Sequence, residues 1–221
     1  MYSLTDTENL LLSSDEEEDV QLTPAEVIEM MEGAWINEKF APEILPHRSE
    51  IVDCLLAQVT SMEENIQGLD SSDFKKSIHQ LEVDRLRFLV SSYLRTRLEK
   101  IECYSTHILK EEAERSRRGE ESYLSEQESV FARNFSQGLE FYFDKLLNFY
   151  PGLPTESWSS RIIEPNLHSF IFVKSKTDVE GVIIDDGTDG DDLADFRAGT
   201  PILISYNSVS GLVKKGDVNL I

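Results

Sequence analysis

Only two cysteines and four histidines occur among the 221 residues. Cys54 and Cys103 belong to no CxxC pair and make no disulfide framework. With His47, His79, His107 and His168 scattered along the chain, no zinc-finger spacing arises, and the cysteines read as small, buried, reduced thiols. The apolar runs are a few residues long, far short of the ~20 needed to cross a bilayer. The first ten residues carry two acids, Asp6 and Glu8, and no base. That charge is wrong for a secretory n-region or a mitochondrial presequence, so a cytosolic or nuclear protein is expected.

Catalytic motifs are missing too. No GxSxG, HExxH or Rossmann glycine pattern occurs. Gly211 and Gly216 have the spacing of a phosphate loop, but Asp217 stands where the essential lysine belongs and would repel phosphate. The run Asp185 to Asp191 invites a calcium reading. Counted from Asp185, however, position 3 is Gly187 and position 12 is Phe196, where an EF-hand needs an oxygen ligand and a bidentate Glu. A solvated loop is expected there, and the histidines read as structural. No catalytic, cofactor-binding or metal-ligating residue is assigned. The expected class is a non-enzymatic subunit of a larger assembly.

Acid is present in excess, and its placement is informative. The net charge is −21. Residues 1–20 hold seven acids and residues 178–195 hold eight, with no base in either, which leaves −6 for the other 183 residues. Two solvated acidic segments on an ordinary fold are expected. Strong direct DNA binding is not, because lysine and arginine supply most of that affinity. Arg85, Arg87, Arg95, Arg97 and Lys100 scatter around one helix and form no basic stripe.

The periodicity predicts an α+β chain: an N-terminal all-α helical bundle domain, then a small C-terminal β-rich domain. The expected organisation is a disordered acidic tail over 1–21, a helical interaction domain over 22–150, a linker over 151–165 and the β-rich domain over 166–221. Thr23, Pro24 and Glu26 form an N-cap, first-turn proline and capping box, and the helix they start runs to about Lys39. A second helix covers Ser49 to Leu69, with Val52, Leu55, Val59, Met62, Ile66 and Leu69 as a narrow seam. A long third helix runs from about Asp73 to Glu112. Val83, Leu86, Leu89, Val90, Tyr93, Leu94, Ile101, Tyr104 and Ile108 lie on its broad apolar half. Phe74, Leu81 and Phe88 stand on the opposite, polar half seven residues apart, as a seam for a neighbouring helix or subunit. Residues 111–121 read as a charged loop. Ser125 and Glu128 then cap a last large helix to about Tyr150, its apolar face built from Val130, Phe131, Phe135, Leu139, Tyr142, Phe143, Leu146 and Leu147. Short β-type runs follow at 169–173, 181–184 and 201–206, with one helical turn at 209–215. Val218, Leu220 and Ile221 are too apolar for a free tail and are expected to form a structural C-terminal strand. In the acidic tail, Leu10, Leu11 and Leu12 form an apolar island that reads as a docking motif. Ser13 and Ser14 beside it, each with a Glu three residues on, are candidate phosphosites.

The segment Leu22 to Glu29, continuing through Ala34, Trp35, Ile36, Asn37, Glu38, Lys39, Phe40, Ala41 and Pro42 to Leu45, resembles the N-terminal signature of the Sld-five family of eukaryotic GINS subunits. Ser77 to Gln80, Arg85 to Arg87, Ser91 to Arg95, Lys100 to Glu102, and the end Val218-Asn219-Leu220-Ile221 match in the same order. Thr23, Pro24, Glu26, Trp35, Asn37, Glu38, Lys39, Phe40 and Pro42 carry the signature. The resemblance implies a nuclear, non-catalytic subunit of a heterotetramer with three related GINS subunits. It implies that the tetramer joins the minichromosome-maintenance ring and the Cdc-forty-five protein in the replicative DNA helicase. The resemblance does not extend to the tail before residue 20, whose own docking motif is expected to engage other replisome factors. Two other classes account for parts of the sequence. An unrelated helical adaptor explains the helices and the tail but not the matches. A metal-dependent hydrolase built on the acidic stretch should be stabilised by metal.

Overall fold

The computed structural model describes residues 23–69, 74–150, 162–184 and 192–221. The leucine island, the two serines beside it, most of the linker and the acidic run 185–191 lie outside these residues.

Helix α1 (Pro24–Phe40) begins where the capping chemistry places it. The Glu26 carboxylate accepts from the Thr23 N–H at 2.7 Å, and the Thr23 hydroxyl accepts from the Glu26 N–H. The chain turns extended at Ala41, the residue before Pro42, and the helix stops. Helix α2 (Ser49–Gln67) buries Val52, Leu55, Val59 and Ile66 along the expected seam, with Met62 and Leu69 half-buried. Helix α3 (Phe74–Arg118) is broken by non-helical geometry at Tyr104 (φ −121°, ψ 25°). Helix α4 (Glu126–Phe149) opens on the second capping box, with reciprocal Ser125 and Glu128 bonds.

Helix α3 corrects two expectations. It continues six residues past Glu112, so most of the expected charged loop is helical. Residues 111–118 are charged but are strong helix formers, and Glu112 pairs with Arg115 three residues on, at 3.7 Å. Arg115, Arg117 and Arg118 also sit in the last turn, where positive charge offsets the helix dipole. On the broad apolar half, Leu94 is exposed, Tyr104 is half-buried at the break, and the other seven residues are buried.

The C-terminal part comprises β1 (Phe170–Ser175), β2 (Val179–Ile184), β3 (Asp192–Phe196), β4 (Pro201–Ser205), α5 (Tyr206–Lys215) and β5 (Val218–Leu220). One antiparallel sheet has the order β4-β1-β5, and β2 pairs with β3 in a separate ribbon. Strand β1 alternates cleanly: Ile171, Val173 and Ser175 are buried and Phe170, Phe172 and Lys174 are exposed. Strand β2 contains the β-type run expected at 181–184, and β3 adds a strand in the acidic stretch where none was expected. Phe196 at the end of β3 is buried. The high acid content of 191–195 hid the strand. Helix α5 is ten residues long rather than a single turn. Gly216 ends it in the left-handed conformation (φ 88°), which a side chain would strain, and turns the chain into β5. Val218 and Leu220 are buried. The Ile221 side chain is half-exposed, although its N–H donates to the Phe172 carbonyl.

Three apolar clusters hold these elements. Val27 and Met31 of α1 pack with the α2 seam and with Val83 to Tyr93 of α3. Ile44, Ile101, Ile108, Leu124 and Ala132 form a second cluster at the start of α4. Ala41 and Leu45 join the core of the β-rich part, beside Ile171, Val173, Tyr206, Val209, Val213, Val218 and Leu220. The segment 41–45 therefore feeds two cores at once. Cys54 and Cys103 are exposed free thiols, not buried ones, because each lies on the outward side of its helix. Among the described residues, no helix is long and apolar enough to cross a membrane, and no group of three His, Cys, Asp or Glu is placed to hold a metal ion.

Candidate functional site

Phe74, Leu81 and Phe88 stand 76%, 70% and 64% exposed on one side of α3, with Ile78, also exposed, between the first two. The spacing 74, 78, 81, 88 follows the 4-3 rhythm of a helix-packing seam, yet among the described residues no helix covers it. The stripe continues into α1. The Phe88 ring meets Trp35 edge-on at 6.3 Å, Trp35 Nε1 donates to Ser92 Oγ at 2.9 Å, and Lys39 lies over the Trp35 and Phe40 rings at 5.3 and 5.5 Å. Aromatic groups held rigid and flanked by cations are the usual anchors of protein interfaces. Helix α4 presents a second bare face. Past Ala132 no residue of it is buried, and Phe141, Tyr142 and Phe149 are exposed. On the apolar face expected of this helix, Phe131, Phe135, Leu139, Phe143, Leu146 and Leu147 are half-buried, and Val130 and Tyr142 are exposed.

The signature residues between Trp35 and Pro42 have a different task. Glu38 faces inward beside the fully buried Arg97, a residue that looked like one of several scattered arginines. The Arg97 guanidinium donates to both oxygens of Glu128 at 2.7 and 2.9 Å and to Glu38 at 3.0 Å. It also donates to the carbonyls of Leu45 and Tyr123, at 2.7 and 2.8 Å. All five of its N–H donors are thus used. Lys100 donates to Glu38 Oε1 at 2.8 Å and to the Glu43 carbonyl at 2.7 Å. One cation therefore binds α1, the 41–45 segment and the start of α4 to α3. A signal was available in the sequence. Arg97 follows Val90 and Tyr93 and precedes Ile101 at helical spacing, so it lies on the buried side.

Glu43 continues the polar chain across to the β-rich part. Its Oε1 accepts from the Tyr206 hydroxyl and from Lys214, each at 2.8 Å. Burial first, and then the Glu43 charge, push Tyr206 far above the usual phenol range, so it remains a neutral donor. Next to it, the Leu220 N–H donates to Asn37 Oδ1 at 2.8 Å, and Asn37 Nδ2 donates to Asn219 Oδ1 at 3.4 Å. Asn37 thus pairs with the last strand as a backbone group would. Tyr206→Phe should lower stability by about 1.5–3 kcal/mol, the usual contribution of a hydrogen bond to a charged group. Denaturant melts would check this, and an unchanged midpoint would mean that Lys214 alone satisfies Glu43.

Burial pushes the Glu128 carboxyl up, but its bonds to Arg97 and the Ser125 cap outweigh that and hold it below its ordinary value of 4.5. Burial lowers Lys100, with Glu38 opposing the shift. Their arrangement fixes one segment against another.

Two family descriptions match the chain, "GINS complex protein helical bundle domain" over residues 55–147 and "DNA replication complex GINS protein SLD5 C-terminus" over 165–221. A Rattus norvegicus protein named DNA replication complex GINS protein SLD5 is 41% identical over 213 residues, covering 95% of each chain. The Homo sapiens protein of that name is 41% identical over 208 residues, covering 92% of this chain and 93% of its own. The Arabidopsis thaliana one is 34% identical over 209 residues, covering 88% and 90%. With both parts matched in order, and relatives aligned along nearly their whole length, the chain belongs to the Sld5 family of GINS proteins.

Proposed function

We propose that this chain is a non-catalytic, nuclear subunit of a GINS heterotetramer that acts in DNA replication. In this reading, three related subunits cover the bare faces of α3 and α4. The observation that carries it is the Phe74–Phe88 stripe, left open on a chain whose relatives are named as replication-complex subunits. Apolar side chains that recur in helical register and find no cover at home are the mark of a subunit interface. The assembled tetramer joins the minichromosome-maintenance ring and the Cdc-forty-five protein in the replicative helicase, as the family resemblance implies. The nucleotide chemistry belongs to the ring.

Expressed alone, the chain should self-associate or precipitate, and co-expression with its three partners should rescue it. Affinity purification from nuclear extract followed by native mass measurement tests the assignment directly. Three small partners in equal amounts are the expected result. A monodisperse monomer with a cooperative melt would overturn it.

A further inference from the structure

A cleft of about 580 Å³ lies between α1 and the β-rich part, within the range of sites that enclose a ligand-sized group. Its two walls differ in charge. The α1 wall carries Glu26 and Glu29, and Glu26 is already engaged in the capping box. The opposite wall carries Lys176, Lys214 and Lys215. Lys176 and Lys215 are exposed, and Lys214 keeps part of its surface while bound to Glu43. Between the walls Met30, Leu45, Ile51 and Val213 supply apolar floor. At Gly33 an added Cβ would meet nothing within 4 Å, so the space above α1 is open.

We infer that this cleft is occupied by the chain's own acidic segment, residues 10–19, with Leu10 to Leu12 on the apolar floor and Asp15 to Asp19 along the lysine wall. Three observations carry the inference. The first is placement. The segment joins the folded chain at Thr23, and Glu26, one turn into α1, lines the cleft. At no more than about 3.6 Å per residue, four residues from Asp19 to Thr23 reach roughly 14 Å and eleven from Leu12 reach roughly 40 Å. The cleft mouth is therefore within reach without strain. The second is charge. Residues 1–20 hold seven acids and no base, and the lysine wall, across the cleft from their point of attachment, is the complementary surface. The third is composition. The cleft offers a few apolar side chains beside a row of cations, and the segment offers three leucines followed by five acids. Joining α1 to α5 in this way would staple the two parts of the chain. It would also hold the leucines from other partners until a stronger groove competes for them.

The test uses the full chain in the complex with which it purifies. Zero-length carboxyl-to-amine cross-linking should join Asp15–Asp19 to Lys176, Lys214 or Lys215. Mixing isotope-labelled and unlabelled copies should show the links within one chain. Replacing Leu10, Leu11 and Leu12 together with Ala should remove most of them. In a second arm, a synthetic peptide of residues 1–22 is titrated into the complex lacking those residues. The double variant Lys176→Gln/Lys215→Gln spares the Lys214–Glu43 bridge and should weaken the peptide roughly five- to tenfold at low salt. Phosphate at Ser13 and Ser14 should tighten it several-fold, by adding charge opposite the lysines. Links spread over lysines on other faces, links only between different chains, or equal affinity for the Gln variant would each overturn the inference.

Discussion

Leu81→Asp is expected to leave the isolated chain folded and to abolish its assembly. The two halves of that outcome follow from one number. Leu81 is 70% exposed, so the chain's own core loses nothing when it changes. The expected change in the chain's stability is within about 0.5 kcal/mol, the usual range for surface substitutions. If the stripe is covered in the complex, the same carboxylate is buried there with no partner. That costs about 3–5 kcal/mol, or roughly 10²- to 4 × 10³-fold in association. Circular dichroism of the variant and native mass of the co-expressed complex read the two halves separately. A tetramer that forms at wild-type concentrations would show that the stripe faces solvent. Phe88→Asp should act in the same direction and also disturb Trp35, against which the ring packs.

Arg97→Ala should be the most damaging single change within the chain. It removes the guanidinium from two buried carboxylates, leaving Glu38 with Lys100 and Glu128 with the Ser125 cap, and strips a donor from the carbonyls of Leu45 and Tyr123. Breaking a buried ion pair from one side costs about 3–5 kcal/mol, a large part of the 5–15 kcal/mol by which whole domains are stable. Arg97→Lys should rescue little, since an ammonium has three donors and cannot span the fork of Glu128 while reaching two carbonyls. Urea melts are the measurement, and an Arg97→Lys midpoint close to wild type would refute the account. The pH dependence follows from Glu128. Its folded pKa is depressed, so its contribution is fully present above the unfolded value near 4.5 and is lost as pH falls through the folded value. Acid unfolding should therefore be steeper in wild type than in Glu128→Gln.

The sequence exposes the parts of this fold that local chemistry decides. Thr23 with Glu26, and Ser125 with Glu128, mark their helix starts because a capping box needs only four consecutive residues. The outward side of Phe74, Leu81 and Phe88 is read from angular position alone. What stayed hidden depends on remote partners. Arg97 is a core residue only because positions 38, 45, 123 and 128 converge on it, and composition gave it the look of a surface arginine. Glu43 and Asn37 bear on the β-rich part through contacts more than 160 residues away in sequence. Strand β3 and the end of α3 were masked by charge, which signals solvent exposure but says nothing against a hydrogen-bonded backbone.

The exposed aromatics at the end of α4 bear on how much of this protein a cell can keep. Segments with few buried contacts open at low free energy, and a segment that opens is where hydrolysis and chaperone capture begin. In a copy without partners that segment includes Phe141, Tyr142 and Phe149, three exposed aromatics close to the end of a helix in which no residue past Ala132 is fully buried. If partner subunits cover this segment, as proposed, surplus copies are the ones most open to degradation and assembled copies are spared. The half-life of the chain should lengthen when its partners are made in excess and shorten when they are depleted, so that turnover, rather than matched synthesis, sets its abundance.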